Sequence, residues 1–274
     1  MKATKILTLA DKDQSGEYQI DFWTGAVVRV TLVDWNKKPL HAIAWGMRGF
    51  IGNYKEAMEQ AEAEYYVQEA IKTKLVNSLE WVNMTFLVNN VPRTWTHQAV
   101  RYRVGSSFVQ ESTRFWDLRS IYSIFAPRSM CQIGNSGVKT IRAEFLDGAV
   151  AAIQNYRKLI SQKSVIQEDA RTMLPHCILT HIFWNINLRA LINVFEKRFC
   201  CQAEPTTWLP FLAQVRREIK AKMHPLLTEF LSSPFQRGEN CGFNSSIDRP
   251  CKWMGKNLVE IDQMLEEEYG IHDK

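Results

Sequence analysis

The sequence lacks the features that mark membrane-spanning, exported and polyanion-binding proteins. No apolar run in its 274 residues approaches the roughly 18 residues needed to cross a bilayer. The first residues include a short apolar patch but no cleavage-site pattern, so we expect no signal peptide. The formal net charge of +5 is mild and diffuse, which suits small anions such as nucleotides better than DNA. We therefore expect a cytoplasmic protein that binds neither a membrane nor a nucleic acid.

Cysteines are few and irregularly spaced, which argues against a secreted scaffold held by disulfides. The chain also lacks the C-x2-C pair that is usual in zinc knuckles. A zinc site built from four of the thiols stays open, but buried or incidental thiols are the simpler interpretation. We expect no metal. The six cysteines are Cys131, Cys177, Cys200, Cys201, Cys241 and Cys251, of which the last four are the zinc candidates.

The composition is that of an ordinary globular protein, with 46% hydrophobic and 23% charged residues and no internal repeat. A length of 274 residues suits one large domain with an appendage. Residues 232–254 are rich in Gly, Ser, Asn and Pro, which is typical of a loop. We therefore predict a main domain over residues 1–231 and a C-terminal loop and helix extension over 232–274.

Hydrophobic periodicity predicts a mixture of strands and helices. We predict strands over residues 26–34, 41–45 and 81–88, and a hairpin-like excursion over 116–146. Capping residues and helical spacing predict helices. These cover residues 53–74, 92–103, 147–162, a short stretch ending at 173, 178–201, 207–231 and 256–269.

Residues 96–115, THQAVRYRVGSSFVQESTRF, combine the side chains that a ligand-binding segment needs. Three arginines provide planar forks of donors that suit phosphate and carbonyl groups. Gly105 allows the backbone to come close to a ligand. This mixture is not typical of a solvent-exposed helix, so the segment is predicted to bind a ligand.

Polar residues interrupt an otherwise apolar stretch between Ala170 and Arg198. If residues 178–201 form one helix, Arg189 and Asn193 share one face, whereas Asn187 and Arg198 share another. The flanking apolar side chains imply burial nearly all round, and buried Arg and Asn side chains need partners. We therefore expect this helix to serve a ligand on one side and a subunit or second ligand on the other.

Both segments resemble motifs of the flavin-dependent thymidylate synthases. That family carries Arg-His-Arg, then seven residues, a Ser and shortly afterwards Arg-Tyr, which Arg101-Tyr102-Arg103 and Ser112-Thr113-Arg114-Phe115 resemble. It also carries Ala-Arg-x-x-Leu-Pro followed by Asn-x-Arg-Ser-x-x-Asn-x-x-x-Leu-Arg, with the first Asn sixteen residues after the Arg. Residues 170–175 and 187–193, followed by Lys197-Arg198, resemble this second motif, and the spacing from Arg171 to Asn187 fits without a gap. A following Ala-Gln-x-Glu-Ile element is displaced, as residues 213–219, after an insertion around 202–212.

The resemblance implies an α/β (α+β) fold with a central, mostly antiparallel sheet, flanking long helices and sites at the subunit interfaces of a homotetramer. It implies methylation of dUMP to dTMP, with FAD as cofactor and with NADPH and methylenetetrahydrofolate as cosubstrates. Arg198 and Ser112 are the implied catalytic residues, Arg198 stabilising negative charge on the pyrimidine. The implied substrate contacts are Gln98, Glu111, Ser112, Thr113, Arg114, Arg171 and Arg198. The implied flavin contacts are Arg101, Tyr102, Arg103, Val104, Gln110, Asn187, Arg189 and Asn193.

Several positions depart from the family pattern. Tyr102 replaces the central His of Arg-His-Arg, Leu75 falls at another family His, and Lys197 replaces the Leu before the catalytic Arg. The signature loop is one residue longer, so Gln110 and Glu111 compete for the position of the family Glu. These changes keep a second reaction open, the flavin- and folate-dependent hydroxymethylation of dUMP or dCMP that viral genomes with modified pyrimidines need. A viral member would act in the cytoplasm of its host.

Two other classes of protein stay in view. The first is an α/β domain whose arginines only form salt bridges. The second is a non-catalytic protein that binds single-stranded nucleic acid, because Trp, Tyr and Arg alternate over residues 93–121 in the manner of a stacking surface. The agreement of two separate motifs with one family at nearly fixed spacing favours the enzyme over both.

Overall fold

The computed structural model describes residues 5–12, 18–24, 28–115, 123–133, 139–200, 205–232, 253, 256 and 258–269. In these residues the strands are β1 (Lys5–Lys12), β2 (Tyr18–Thr24), β3 (Arg29–Trp35), β4 (Asn83–Pro92), β5 (Ser106–Gln110), β6 (Ser123–Ala126), β7 (Cys131–Ile133), β8 (Lys139–Ile141) and β9 (Leu179–Asn187). The α-helices are α1 (Pro39–Phe50), α2 (Gln60–Thr73), α3 (Arg93–Ala99), α4 (Ala143–Ile160), α5 (Gln167–Ala170), α6 (Leu188–Arg198), α7 (Pro205–Lys222) and α8 (Leu258–Tyr269). Short 3-10 helices cover Asn77–Trp81, Arg128–Met130, Arg171–Met173 and Pro225–Phe230.

A four-stranded sheet in the order β3-β4-β9-β5 forms the centre of the fold, and every neighbouring pair is antiparallel. A three-stranded sheet, β2-β1-β6, and the hairpin of β7 and β8 lie outside it. The predicted fold class, with a central antiparallel sheet and long helices beside it, is therefore confirmed.

In the described residues, the helices that share a core with the central sheet cover one of its faces. Alternate residues of β4 and β9 are buried, as the two-residue period of a strand requires. These side chains share one hydrophobic core with apolar residues of α6 and α7. Three fully buried tryptophans, Trp95, Trp184 and Trp208, meet there, with 5.0 Å between the ring centroids of Trp95 and Trp208. Trp208 of this aromatic cluster contacts Tyr102 and Arg198, two of the predicted site residues.

The predicted helix over residues 178–201 is wrong in its first half. Leu179–Asn187 is strand β9, which pairs with β4 on one side and β5 on the other, and only Leu188–Arg198 is helical. A short apolar run fits a buried strand as well as a helix, and the pairing partners on both sides decide in favour of the strand. Asn187 and Arg198 therefore do not share a helix face. Arg189 is also exposed rather than buried.

The predicted strand over residues 41–45 is wrong as well, because these residues lie inside α1. Pro39 occupies the first turn, and Leu40, Ile43, Ala44 and Met47 are buried at helical spacing. Other boundaries move too: α2 begins at Gln60 rather than 53, α3 ends at Ala99 rather than 103, and α7 ends at Lys222 rather than 231. Helix α4 begins at Ala143, so Asp147 lies inside it and does not cap it. The predicted strands at 26–34 and 81–88 correspond to β3 and β4, which begin at Arg29 and Asn83, with residues 26 and 27 outside the described part of the chain. The predicted C-terminal helix is confirmed as α8.

The described part of the C-terminal extension packs on the main core. Trp253 lies 5.4 Å from Phe199 between ring centroids, and Ile261 and Leu265 of α8 are buried. The boundary at residue 231 stays a prediction. None of the helices in the described residues is both long and apolar enough to span a bilayer.

Candidate functional site

Two turns at the ends of β5 position most of the residues that the sequence singles out. Helix α3 ends at Ala99, and the chain then passes through residues 100–105 into β5. Beyond Gln110 the chain leaves the sheet through residues 111–115. A strand of five residues is about 13 Å long, since each residue advances by roughly 3.3 Å. The predicted site residues of one chain are therefore divided between the two ends of β5.

At the first end, Arg198 is held by a tyrosine and a tryptophan. It is the last residue of α6, and its Nε donates to the Tyr102 hydroxyl at 2.8 Å. The guanidinium carbon lies 5.1 Å from the Trp208 ring centroid and 5.8 Å from that of Tyr102, which are cation–π distances. Trp208 Nε1 in turn donates to Gln98 Oε1 at 3.1 Å. Four side chains from three elements and one turn thus form a single cluster, which we call the Arg198 cluster: Gln98, Tyr102, Arg198 and Trp208.

The charge of Arg198 is not neutralised within the described residues, where no carboxylate forms an ion pair with it. Other arginines of the region do have acidic partners. Arg189 pairs with Glu80, and both Arg114 and Arg171 pair with Glu168. A half-buried guanidinium that contacts only a phenol and aromatic faces keeps its positive charge available to a ligand.

At the other end of β5, a second cluster gathers two arginines around one carboxylate. Arg114 Nε lies 3.0 Å from Glu168 Oε1, and Arg171 Nη2 lies 3.7 Å from the same oxygen. Arg171 also donates to the Thr113 hydroxyl at 3.3 Å, and the Ser112 hydroxyl accepts the Arg114 backbone N–H at 3.3 Å. We call these five residues the Glu168 cluster. Two guanidinium groups and two hydroxyl groups in this arrangement suit a phosphate.

Gln110 and Glu111 connect the Glu168 cluster to the interior rather than lining it with free polar groups. Gln110 Nε2 donates to the Thr96 hydroxyl at 3.1 Å, and the Thr180 hydroxyl donates to Glu111 Oε2 at 3.3 Å. Arg93 donates to the Glu111 carbonyl oxygen at 2.9 Å. Burial lowers the pKa of Arg93 from its ordinary value, the Glu111 carboxylate opposes this shift, and the nearby Arg171 adds to it.

The turn at residues 101–105 leaves its backbone and several side chains open to solvent. Val104 is 90% exposed, and Arg101 and Arg103 are exposed with no acidic partner among the described residues. Gly105 has a φ of +67°, and its carbonyl oxygen accepts the Asn187 backbone N–H at 2.9 Å. The Asn187 side chain caps α6 by accepting the Ala190 N–H.

Two further predicted flavin contacts, Arg189 and Asn193, lie on α6 and are both exposed. Arg189 forms an ion pair with Glu80. Leu75 packs against the main core, and Lys197 faces solvent, so neither departure adds a polar group to the clusters.

Sequence reasoning missed three residues that matter to this geometry: Trp208, Arg93 and Glu168. Trp208 lies in the segment interpreted as an insertion, and only its packing reveals that it reaches Arg198. The displaced motif at residues 213–219 does not enter the site. Its Gln214 and Glu218 bind the backbone of β3 instead.

Among the described residues, Cys177 does not suit a nucleophile and Trp95 does not suit a stacking surface, of which residues 116–121 lie outside the described part of the chain. Burial raises the pKa of Cys177 to about 11, so this thiol is protonated at neutral pH. Cys201, Cys241 and Cys251 lie outside the described residues. Among the described residues, no three His, Cys, Asp or Glu side chains form a group that could hold a metal ion. Trp95 is buried, so it is not available to stack on a base.

Comparison with known proteins identifies the family. A family model described as "thymidylate synthase complementing protein" matches residues 31–209. The flavin-dependent thymidylate synthase of Nitratidesulfovibrio vulgaris is 30% identical over 190 residues, which cover 64% of this chain and 76% of that protein. The enzyme of the same name from Saccharolobus solfataricus is 30% identical over 198 residues, covering 72% and 69%.

Two solved structures share the fold. The UMP/dUMP methylase PolB from Streptomyces cacaoi, bound with 5-Br dUMP, has a TM-score of 0.59 at 19% identity and covers 75% of this chain and 95% of its own. Thymidylate synthase X from Helicobacter pylori, with FAD and dUMP, has a TM-score of 0.58 at 17% identity and covers 74% and 99%. Together with the family match over residues 31–209, the relatives at 30% identity establish that this chain belongs to the flavin-dependent thymidylate synthase family.

Proposed function

We propose that this protein methylates dUMP at C5 to give dTMP, with FAD as cofactor and methylenetetrahydrofolate and NADPH as cosubstrates. The observation that carries the proposal is the charge of Arg198, which has no carboxylate partner among the described residues and is held at the end of α6 by Tyr102 and Trp208. Among the described arginines that match the family motifs, Arg198 combines partial burial with the absence of an acidic partner.

Arg198 acts by electrostatic stabilisation. When C5 of the pyrimidine acts as a nucleophile, negative charge develops on the ring and its carbonyl oxygens. A guanidinium held in a fixed position stabilises that charge without reorganising. This role needs no cysteine nucleophile, which agrees with the raised pKa of Cys177.

The orientation of Gln98 favours uracil over cytosine. Indole Nε1 is only a donor, so Trp208 fixes the amide with its oxygen turned toward the indole and leaves the Nε2 hydrogens for a ligand. Arg198 also offers only donors. A site that presents donors favours the O4 carbonyl of uracil and disfavours the N4 amino group of cytosine.

The Glu168 cluster supplies the phosphate site of the nucleotide. Glu168 occupies the space between Arg114 and Arg171 that a phosphate would fill, and a phosphate dianion is a stronger competitor for both forks. Ser112 and Thr113 add hydroxyl donors. Glu111 and Gln110 fix this turn from behind through Thr180 and Thr96.

The turn at residues 101–105 fits a flavin dinucleotide. Arg101 and Arg103, which have no acidic partner among the described residues, offer guanidinium groups for its pyrophosphate, and Gly105 allows close approach of the backbone. Val104 adds an exposed apolar side chain. Asn187 borders the turn through its backbone N–H, and we assign the exposed Asn193 and Arg189 of α6 to the same cofactor. FAD, when bound, supplies a carrier for the methylene group and the electrons that reduce it.

We further propose that the complete site is built from several copies of the chain in a homotetramer. The separation of the Arg198 and Glu168 clusters along β5 supports this arrangement. If two chains pair across these turns, the clusters of neighbouring subunits can approach one another more closely than those of one chain.

A second reaction, hydroxymethylation of dUMP or dCMP, is the alternative. The observation that favours it is the position of Tyr102, since this departure from the family pattern contacts Arg198 directly. A change at that place touches the group that we assign to the pyrimidine.

The mass of the nucleotide product separates these reactions. The protein would be incubated with FAD, NADPH and methylenetetrahydrofolate, and with either dUMP or dCMP. A gain of one CH2 on dUMP is the expected result, a gain of one CH2O would establish hydroxymethylation, and no product with either nucleotide would contradict both.

The role of Arg198 has its own test. We expect Arg198→Ala to abolish turnover, a loss of at least about a hundredfold, because removal of one stabilising donor group costs on that order. Flavin should remain bound, as measured by its absorbance after gel filtration. Lys197→Ala, which removes the exposed neighbouring charge, is the matched control and should leave turnover unchanged. Full turnover in Arg198→Ala would show that the assignment of this residue is wrong.

A further inference from the structure

The family motifs do not assign two residues of the Arg198 cluster, Tyr102 and Trp208, to contact with Arg198. Tyr102 stands where the family pattern has His, and Trp208 comes from the segment interpreted as an insertion. Both contact a residue that we assign to the nucleotide. Tyr102 contacts Arg198, and Trp208 contacts Arg198 and Gln98.

An arginine without a carboxylate partner needs other contacts to hold its direction. The side chain has several rotatable bonds, and an unpaired guanidinium gains most by turning toward water. The Tyr102 hydroxyl opposes this by binding Nε, so that the four remaining N–H groups, all on the Nη atoms, stay available. The Trp208 ring lies 5.1 Å from the guanidinium carbon and supports the group further.

Trp208 is itself closely packed, which makes it a suitable support. It is fully buried and packs against Trp95 and Phe211, with ring centroids 5.0 and 5.9 Å away. The ring of Tyr102 meets that of Trp208 edge to face at 5.9 Å. One rigid indole therefore contacts three polar or aromatic side chains of the cluster at once.

We propose that Tyr102 and Trp208 are positioning residues: Tyr102 sets the direction of the Arg198 guanidinium, and Trp208 sets both that direction and the orientation of the Gln98 amide. The inference rests on the proposed function, in which Arg198 and Gln98 contact the pyrimidine. It also assigns a purpose to the Tyr in the Arg-Tyr-Arg sequence. A phenol hydroxyl reaches Nε here, and the shorter imidazole would not reach it from the same backbone position.

Tyr102→Phe tests the positioning role of Tyr102 by removing its hydroxyl oxygen. Because Arg198 acts on the charge that develops during reaction, we expect kcat to fall about tenfold, the scale of one hydrogen bond to a charged group, while KM for dUMP changes less than about threefold. Tyr66→Phe, on a partly buried tyrosine of α2 with no described hydroxyl partner, is the control and should change neither constant. An unchanged kcat in Tyr102→Phe alongside inactive Arg198→Ala would overturn the inference and leave the proposed function standing.

Trp208→Phe tests the second half, because phenylalanine keeps an aromatic face but has no N–H to donate. Gln98 is then free to turn its amide, so we expect the dUMP dissociation constant, measured by calorimetry, to rise about tenfold. In Tyr102→Phe this constant should stay within about threefold of the unsubstituted protein. Trp45→Phe, at an exposed tryptophan of α1, is the matched control. Equal dUMP affinity in Trp208→Phe and the unsubstituted protein would overturn this half.

A readout without turnover separates the inference from the function. In a crystal structure of Tyr102→Phe, we expect the Arg198 guanidinium to leave the orientation that it has beside Trp208. If the guanidinium keeps a single unchanged orientation, the positioning role of Tyr102 is wrong whatever the reaction proves to be. If it moves but no nucleotide is converted by the unsubstituted protein, the proposed function is wrong and the positioning contact stands.

Discussion

At the scale of single residues, backbone conformation explains why residue 105 is a glycine. Gly105 has a φ of +67°, a conformation that side-chain-bearing residues rarely adopt. A Cβ placed there would lie 2.5 Å from the Asn187 amide nitrogen, well inside contact distance. The glycine thus allows the turn that presents residues 101–104 to pass directly beside the N-cap of α6.

We expect Gly105→Ala to unfold at a lower temperature and to bind flavin at least about tenfold more weakly. The substitution adds backbone strain of about 1 kcal/mol and displaces Asn187, which caps α6. Gly52→Ala is the control, because Gly52 has a φ of +76° but no atom within 4 Å of an added Cβ. It should show the strain without the loss of flavin affinity. Equal flavin affinity in the two variants would contradict the proposed contact of this turn with the flavin.

At the scale of secondary-structure elements, side chains of a helix bind backbone groups that an edge strand leaves unpaired. Strand β3 lies at an edge of the central sheet, where unpaired backbone groups invite aggregation. Helix α7 covers this edge: Glu218 accepts the Leu32 N–H at 2.6 Å, and Lys222 donates to the Leu32 carbonyl oxygen at 3.1 Å. The Gln214 amide likewise donates to the Val28 carbonyl oxygen and accepts the Val30 N–H. The displaced motif therefore closes the sheet.

A second junction depends on a glycine inside a helix. Gly46 of α1 lies against Ser78 of the 3-10 helix Asn77–Trp81, and a Cβ at residue 46 would overlap the Ser78 side chain. That 3-10 helix carries Glu80, the partner of Arg189. The close packing of α1 thus fixes an element that borders α6.

We expect Gly46→Ala to lower the free energy of unfolding by about 1–3 kcal/mol, because overpacking forces the two elements apart. Gly148→Ala in α4 makes the same substitution where nothing lies within 4 Å of an added Cβ. It should raise the free energy of unfolding by up to about 1 kcal/mol, through helix propensity alone. Thermal unfolding followed by circular dichroism measures both. A stabilised Gly46→Ala would mean that α1 and the 3-10 helix are not packed as described.

At the scale of the whole molecule, the second face of the central sheet exposes apolar side chains in the described residues. The outward residues Val109 and Phe183 are 71% and 44% exposed, and they are direct cross-strand neighbours. Leu87 pairs with Phe183 on the other side and extends the apolar row. Strand β5 also lies at an edge of this sheet. Exposed apolar rows of this kind mark interaction surfaces, which supports the proposed tetramer.

We expect the unsubstituted protein to have four times its chain mass of 31.8 kDa in solution and Phe183→Asp to form smaller species. A buried carboxylate in an apolar interface is costly. Sedimentation equilibrium measures the mass, and turnover should fall with it if the site needs several subunits. Val259→Asp, at an exposed valine of α8, is the control. A monomeric unsubstituted protein with full turnover would contradict the assembly.

The sequence by itself determined the family, the fold class and the set of chemical groups. Motifs such as Ala170-Arg171 and Asn187-Leu188-Arg189 keep their spacing because each lies in one short piece of chain, and spacing along the chain is visible in the letters. The strands β3 and β4 and the terminal helix were predictable for the same reason, since their periodicity is local.

Only the tertiary structure decided which groups meet. An apolar run such as residues 179–187 is a strand because β4 and β5 pair with it, and no local signal records those partners. Likewise, Arg198 contacts Tyr102 across 96 residues of chain, and Trp208 contacts Gln98 across 110. Such contacts depend on how α6, α7 and the turn after α3 pack together. The charge of Arg198 was therefore predictable from the sequence, whereas the phenol and indole that hold it in the described structure were not.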